Sequence, residues 1–165
     1  MLTDAHLHLV DLAGHDPLFP ERLAARPWMG CAASHHEAEF ARSESLRARI
    51  ESGGAARCVA SFGIHPQWAV WDHADFLARL AAEGRISAIG EAGFDFFGDR
   101  PERVRNPENE RAQREVFEYQ LGLAERHGLP LLLHLRKAMD QAFAYSGRLR
   151  RLAGAIFHSY SGTER

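Results

Sequence analysis

Lysine is almost missing from this 165-residue chain: Lys137 is the only one among 20 basic side chains. Arginine favours forked contacts to phosphate over point-charge contacts, but a GC-rich genome produces the same bias, and that explanation carries more weight here. A formal charge of -2 excludes long-range attraction for nucleic acid. Any polyanion would have to be held by bound cations and a local group of arginines. Cysteine is scarce too. Cys31 and Cys58 stand in apolar runs without Cys-x-x-Cys spacing, so they read as reduced packing residues. No apolar run approaches a membrane span, and the N-terminus lacks a basic region followed by an apolar stretch. A soluble cytoplasmic protein without membrane contact is the expectation. Repeats, low-complexity segments and linkers are also absent. With 45% apolar residues, the expectation is one globular domain over residues 1–165.

What the chain does contain is an alternation. Short apolar runs predict strands at about Thr3–Leu9, Met29–Ser34, Arg57–Ile64, Ile86–Glu91, Pro130–Leu135 and Gly154–Ser159. Helical patterns fall between them, near Glu37–Ile50, Asp72–Ala82, Glu110–His127 and Lys137–Leu152. The third is the clearest, with Val116, Phe117, Gln120, Leu121 and Ala124 at three- and four-residue spacing and Gly128 with Pro130 at its end. A β-α-β-α order demands a parallel sheet, open or closed.

Four of the predicted strands end in residues that bind metals: Asp4-Ala5-His6-Leu7-His8, then Glu91, His134 and His158. Residues i and i+2 of a strand share a face about 6.7 Å apart, so His6 and His8 can aim at one cation. One such pair is weak; its repetition at strand ends is not. In a (β/α)8 barrel the C-terminal strand ends gather at one mouth, whereas an open doubly wound sheet would string them in a line. That second fold also tends to carry a glycine-rich first turn, which this chain lacks. A TIM-like barrel is therefore predicted.

Ordinary roles compete at each position. Glu91 closes an apolar run, where a charge is seldom left unpaired. His134 and His158 end apolar runs in the same way, and a core histidine is the rival for each. Asp95, in the loop expected after the fourth strand, is either a group orienting a ligand or water or a turn-forming aspartate. His65 is held extended by Pro66 at the mouth of the third strand. Arg136 should face the same side as His134, where its guanidinium would hold a phosphate, unless it pairs with Glu91 or Asp95. Arg100, Arg103 and Arg105 read as solvated loop charges. His15, His35, His36, His73 and His127 read as surface or capping residues.

Five motifs now stand in order: Asp4-Ala5-His6-Leu7-His8-Leu9; Gly63-Ile64-His65-Pro66; Ala88-Ile89-Gly90-Glu91-Ala92-Gly93-Phe94-Asp95-Phe96-Phe97; Leu129-Pro130-Leu131-Leu132-Leu133-His134-Leu135-Arg136; and Phe157-His158-Ser159-Tyr160-Ser161-Gly162. Through them, and through Gln113, Phe117, Gln120-Leu121 and Leu123-Ala124 in the long helix, the chain resembles the TatD family of metal-dependent deoxyribonucleases among the amidohydrolase-like barrels. The resemblance implies that His6 and His8 hold one divalent cation, His134 and His158 a second, and that Glu91 bridges them. It implies a catalytic setting of Glu91 with Asp95 and magnesium-supported hydrolysis of DNA from single-stranded ends, with His65 and, from its position beside His134, Arg136 as the expected substrate contacts. Four imidazoles suit zinc or manganese better than magnesium, so those ions are alternatives.

Two departures qualify this. Gln67 stands where the family commonly has a further histidine. The family's closing aspartate after the eighth strand has no counterpart, and about 250 residues are usual for a full barrel. Only about six β/α units are expected here, lacking the last two strands. The residues are then the first part of a longer enzyme, which is the preferred account, or a truncated product, or a chain whose open edge is covered by a second copy or a partner. An amide or ester hydrolase, or a non-catalytic interaction module lacking one ligand, are the alternative functions.

Overall fold

The computed structural model describes residues 1–159; the predicted motif residues Tyr160, Ser161 and Gly162 lie outside them. Six parallel strands follow one another in chain order across a single sheet: β1 (Leu2–Leu7), β2 (Trp28–Ser34), β3 (Ala56–Phe62), β4 (Ala88–Asp95), β5 (Leu131–Arg136) and β6 (Ala155–Phe157). Helices α1 (Leu9–His15), α2 (Phe19–Ala24), α3 (Glu37–Glu51), α4 (Ala74–Ala82), α5 (Pro107–His127), α6 (Met139–Ala144) and α7 (Ser146–Leu149) form the crossovers. The result is the curled, six-stranded part of a TIM-like barrel, as the alternation predicts.

Two large apolar clusters and a smaller one of Ile64, Ala74 and Val116 hold it. One joins β3, β4 and β5 to α4 and α5 through Phe62, Leu77, Leu80, Ile89, Phe94, Phe117, Leu121 and Leu131. The other joins β1 and β2 to the first helices through Leu7, Leu9, Trp28, Leu46 and Ile50. Helix α5 starts earlier than its periodicity predicts. Asn106 accepts from the Asn109 amide at 2.8 Å and Pro107 takes the first turn, while Gly128 closes the helix at φ +64°, as N-cap asparagine, N1 proline and left-handed C-cap glycine favour. The stretch predicted as one helix over Lys137–Leu152 is two short ones, α6 and α7, meeting at Tyr145.

Register shifts occur where donor residues stand. Between Ile89 and Ala92, β4 advances three residues while β5 advances two, from Leu131 to Leu133. Between Asp4 and Leu7, β1 likewise gains one residue on β2. An extra residue bends a strand and re-aims a side chain, here at Glu91 and at His6. Glycine makes the first shift feasible: at Gly90, φ is +141° and a Cβ would meet the Leu132 carbonyl oxygen at 2.3 Å.

Candidate metal centre

Glu91 lies within β4, not at its end, and its side chain is 2% exposed. Six imidazoles surround its carboxylate. His6 Nε2, His8 Nε2 and His35 Nε2 stand 3.0, 3.4 and 3.0 Å from Oε2. His134 Nδ1, His158 Nε2 and His65 Nε2 stand 3.2, 2.7 and 3.6 Å from Oε1. They arrive from five strands: His6 within β1 and His8 just after it, His35 after β2, His65 after β3, His134 within β5 and His158 after β6.

The donors group by distance in a way the sequence did not suggest. His6, Glu91 and His158 form one set, His8, His35 and Glu91 a second, and His65, Glu91 and His134 a third, each with its ligand atoms within 4.8 Å of one another. Buried His6 Nε2 and His158 Nε2 approach Glu91 out of line for a hydrogen bond and have no partner among the described residues. A buried nitrogen without a partner is costly. Nitrogen donors around a shared carboxylate answer that cost if divalent cations bind there, and the residues present fit such ions. Burial raises the Glu91 carboxyl, but the close imidazoles of His134, His158, His35 and His6 reverse this and hold it far below the carboxylate range. Burial also brings His65 down to about 4, against the opposing pull of Glu91.

Asp95 corrects the expectation of a loop position. It is the last residue of β4 instead of a loop residue, and it is fully buried. Its Oδ2 accepts from Gln67 Nε2 at 3.0 Å and Arg103 Nη2 at 2.7 Å, and meets His134 Nε2 at 3.0 Å. Burial raises its carboxyl, yet His134, Gln67, the Phe97 amide and Arg103 together hold it well below the usual range. Arg103 is thus no solvated loop charge; it is 4% exposed and also donates to Asp99. Gln67, standing where a histidine was anticipated, fills the same polar network.

Helix α5 fixes the backbone beside these groups. Gln120, fully buried, accepts from the Ile64 amide at 2.8 Å and donates to the Ile64 carbonyl at 3.0 Å, next to His65. Gln113 clasps Asp95 in the same way, at 2.8 and 3.1 Å. Two glutamines on an otherwise apolar helix face were the sequence signal for these clamps.

Arg136 is exposed, with its guanidinium 3.6 Å from the centre of the Phe97 ring. Neither Glu91 nor Asp95 pairs with it among the described residues. With Phe97 and Lys137 it lines a cavity of about 540 Å3 that also reaches His134 and His158. A neighbouring cavity of about 610 Å3 is lined by the donors around Glu91 together with Gln67 and the half-exposed Trp68.

His35 is the donor that sequence reasoning missed, having been placed with the surface histidines. It is the first residue past β2, so the rule that ligands stand at strand ends would have found it. His36 and His73 do take N-cap positions, but neither side chain caps, and His36 Nδ1 lies 3.1 Å from His73 Nε2.

Similar proteins bear on this arrangement. The family model described as TatD related DNase matches residues 3–165. A 3'-5' ssDNA/RNA exonuclease TatD from Cronobacter turicensis is 37% identical over 125 residues, 73% of this chain and 45% of that protein. Its counterpart from Enterobacter lignolyticus is 33% identical over 135 residues, 79% of this chain and 46% of that protein. The chain thus spans less than half the length of these curated relatives. Among solved structures, the TatD homolog YJJV from Escherichia coli aligns at TM-score 0.73 and 26% identity, covering 98% of this chain and 61% of that one. A TatD family hydrolase from Entamoeba histolytica aligns at TM-score 0.75 and 18% identity, over 98% and 59% of the two chains, and speaks to the fold alone. With the donors gathered on one carboxylate and the family model spanning nearly every residue, the chain belongs to the TatD related DNase family.

Proposed function

We propose that this chain carries the metal-binding part of a nuclease that hydrolyses phosphodiesters of single-stranded DNA ends. The observation that carries the reading is the convergence of imidazoles from five strands on the buried Glu91 carboxylate. His6, His8, His134 and His158 would hold two divalent cations with Glu91 shared between them; the imidazole-rich set suits manganese or zinc, while the family resemblance favours magnesium for activity. Such a pair would supply Lewis acidity toward a phosphoryl oxygen and lower the pKa of a water, which then attacks the phosphorus.

The chain's own residues do the rest. Asp95 acts as a positioning residue: His134 Nε2–H donates to its carboxylate, which leaves the His134 Nδ1 lone pair facing Glu91. His65 Nδ1 accepts the Gln67 amide hydrogen at 3.1 Å. In the neutral ring the proton then sits on Nε2, which makes His65 a hydrogen-bond donor to a substrate phosphate oxygen instead of a cation ligand. Arg136 and Lys137 enter no ion pair among the described residues and flank the cavity that reaches His134, so a phosphate of the strand is their natural counter-charge. The relatives' name supports 3'-5' polarity and leaves room for RNA as well as DNA.

The test is cleavage of oligonucleotides with defined 3' or 5' single-stranded tails in magnesium or manganese, beside metal analysis. Shortening from a 3' tail, lost by at least about a hundredfold in Glu91→Ala together with bound metal, is the expected result. Intact tails with a protein whose metal content still depends on Glu91 would reject the nucleic-acid substrate and move an amide or ester bond into its place.

A further inference from the structure

His35 belongs to none of the five motifs, yet both ends of this residue are fixed. Its main-chain amide donates to Glu39 Oε2 at 2.7 Å, in the first turn of α3. Its ring Nδ1 lies 3.1 Å from the Gly63 carbonyl oxygen. A carbonyl only accepts, so Nδ1 carries the hydrogen, and the neutral imidazole keeps its lone pair on Nε2. That atom stands 3.0 Å from Glu91 Oε2, which His8 Nε2 also approaches, at 3.4 Å. Two electron-rich atoms at that separation need a proton or a metal cation between them.

The contrast with His65 makes the assignment selective. Both rings are mostly buried and both face Glu91, but His65 Nδ1 accepts from an amide, so its Nε2 carries the hydrogen. A backbone carbonyl behind one ring and a backbone amide behind the other give the two histidines opposite tautomers. Of these two, only His35 presents a lone pair to the carboxylate, and a carbonyl behind Nδ1 is the usual arrangement for a histidine that ligates through Nε2.

We propose that His35 is a ligand of the divalent cation held by His8 and Glu91, so that β2 contributes a donor to the centre as β1 and β4 do. The proposal rests on the two-cation reading above but not on the substrate. It shifts the donor set further toward nitrogen and hence toward zinc or manganese over magnesium.

Calorimetric titration of the metal-stripped chain with zinc and with manganese tests it, with His35→Gln, His65→Gln and His36→Gln compared at matched melting temperature. His35→Gln should weaken one of two sites by roughly tenfold or more, the scale on which even residues behind a ligand act. His36→Gln, whose ring meets His73 and not Glu91, should leave both sites unchanged, and His65→Gln should weaken binding less than His35→Gln does. Unchanged stoichiometry and affinity in His35→Gln would overturn the proposal. Should that variant not fold, nitrogen-15 spectra of the wild-type imidazoles decide: zinc must move the His35 Nε2 resonance while Nδ1 keeps its hydrogen, and an unmoved Nε2 refutes ligation. A wild-type chain holding two ions but leaving DNA uncut rejects the nuclease reading alone, whereas one holding less than a single ion rejects both.

Discussion

Strand β4 and the edge strands β1 and β6 hold parts of the same cluster under opposite conditions. Every residue of β4 is buried, and its Glu91 and Asp95 are bound by side chains from several elements. The first four residues of β1 are exposed, as are two of the three in β6. Yet His6, His8 and His158 come from these edges. The carboxylate is thus set rigidly from the centre of the sheet, while half of the imidazoles around it hang from strands that have a single neighbour among the described residues. Cations in the centre would then do more for the edges than for the middle, since ligands stabilise most where the unliganded structure opens most readily.

The largest expected effect breaks the centre. Arg103 and Asp95 are 5% and 0% exposed at the side chain and 2.7 Å apart. Removing one partner of a buried pair strands the other charge, at a cost of about 3–5 kcal/mol. Arg103→Ala should lose that much stability in urea and weaken metal binding through His134, which shares Asp95 Oδ2. Arg105, paired with Glu110 and Asp140 at the surface, is the matched control; exposed pairs of this kind contribute below about 1 kcal/mol. Equal losses in the two variants would show that the β4 network is no firmer than the rim.

Hydrogen exchange sharpens the same contrast with a smaller effect. Amides of Ile89–Phe94 should exchange at least about tenfold more slowly than those of β1 and β6 in metal-free protein. Zinc or manganese should then slow the edges by a larger factor than the centre. Uniform protection, or a slowing confined to β4, would contradict the division.

Much of this architecture was legible in the sequence. The strands predicted over Met29–Ser34, Arg57–Ile64 and Pro130–Leu135 lie within two residues of β2, β3 and β5, because the mostly buried parallel strands carry short runs rich in apolar residues. The fourth strand was cut short at Glu91, since a glutamate following a glycine resembles a strand end; the register shift that turns it inward has no periodic signature. Helices α1 and α2 were not anticipated, as Gly14 and Pro17 interrupt any helical pattern there. In the site, Glu91, His6, His8, His134 and His158 were visible as donors, but His35 and Arg103 were not. Arg103 finds its partner eight residues away through a loop geometry that spacing does not encode, and His35 was judged by motif position instead of by its place after a strand. The donor pairing was also opaque, because it depends on how the sheet curls and not on sequence order.

The smallest effect concerns two thiols that report the same gradient. Cys58 on β3 is fully buried beside Leu46 and Ile50, and burial pushes its thiol up to about 12. Cys31 on β2, one strand closer to the β1 edge, is half-buried and also raised by burial. Thiolate is the reactive form, so a raised value protects. At pH 8 a thiol of that kind is ionised to about one part in ten thousand, and alkylation of Cys58 must wait for the sheet to open. Opening at the β1 side exposes Cys31 first. Iodoacetamide at pH 8, followed by mass spectrometry of the peptides, should therefore modify Cys31 several-fold faster than Cys58, and bound cation should narrow that ratio by closing the edge. Identical rates, or Cys58 reacting first, would mean that opening begins in the middle of the sheet and that the edge strands are as firmly held as β4.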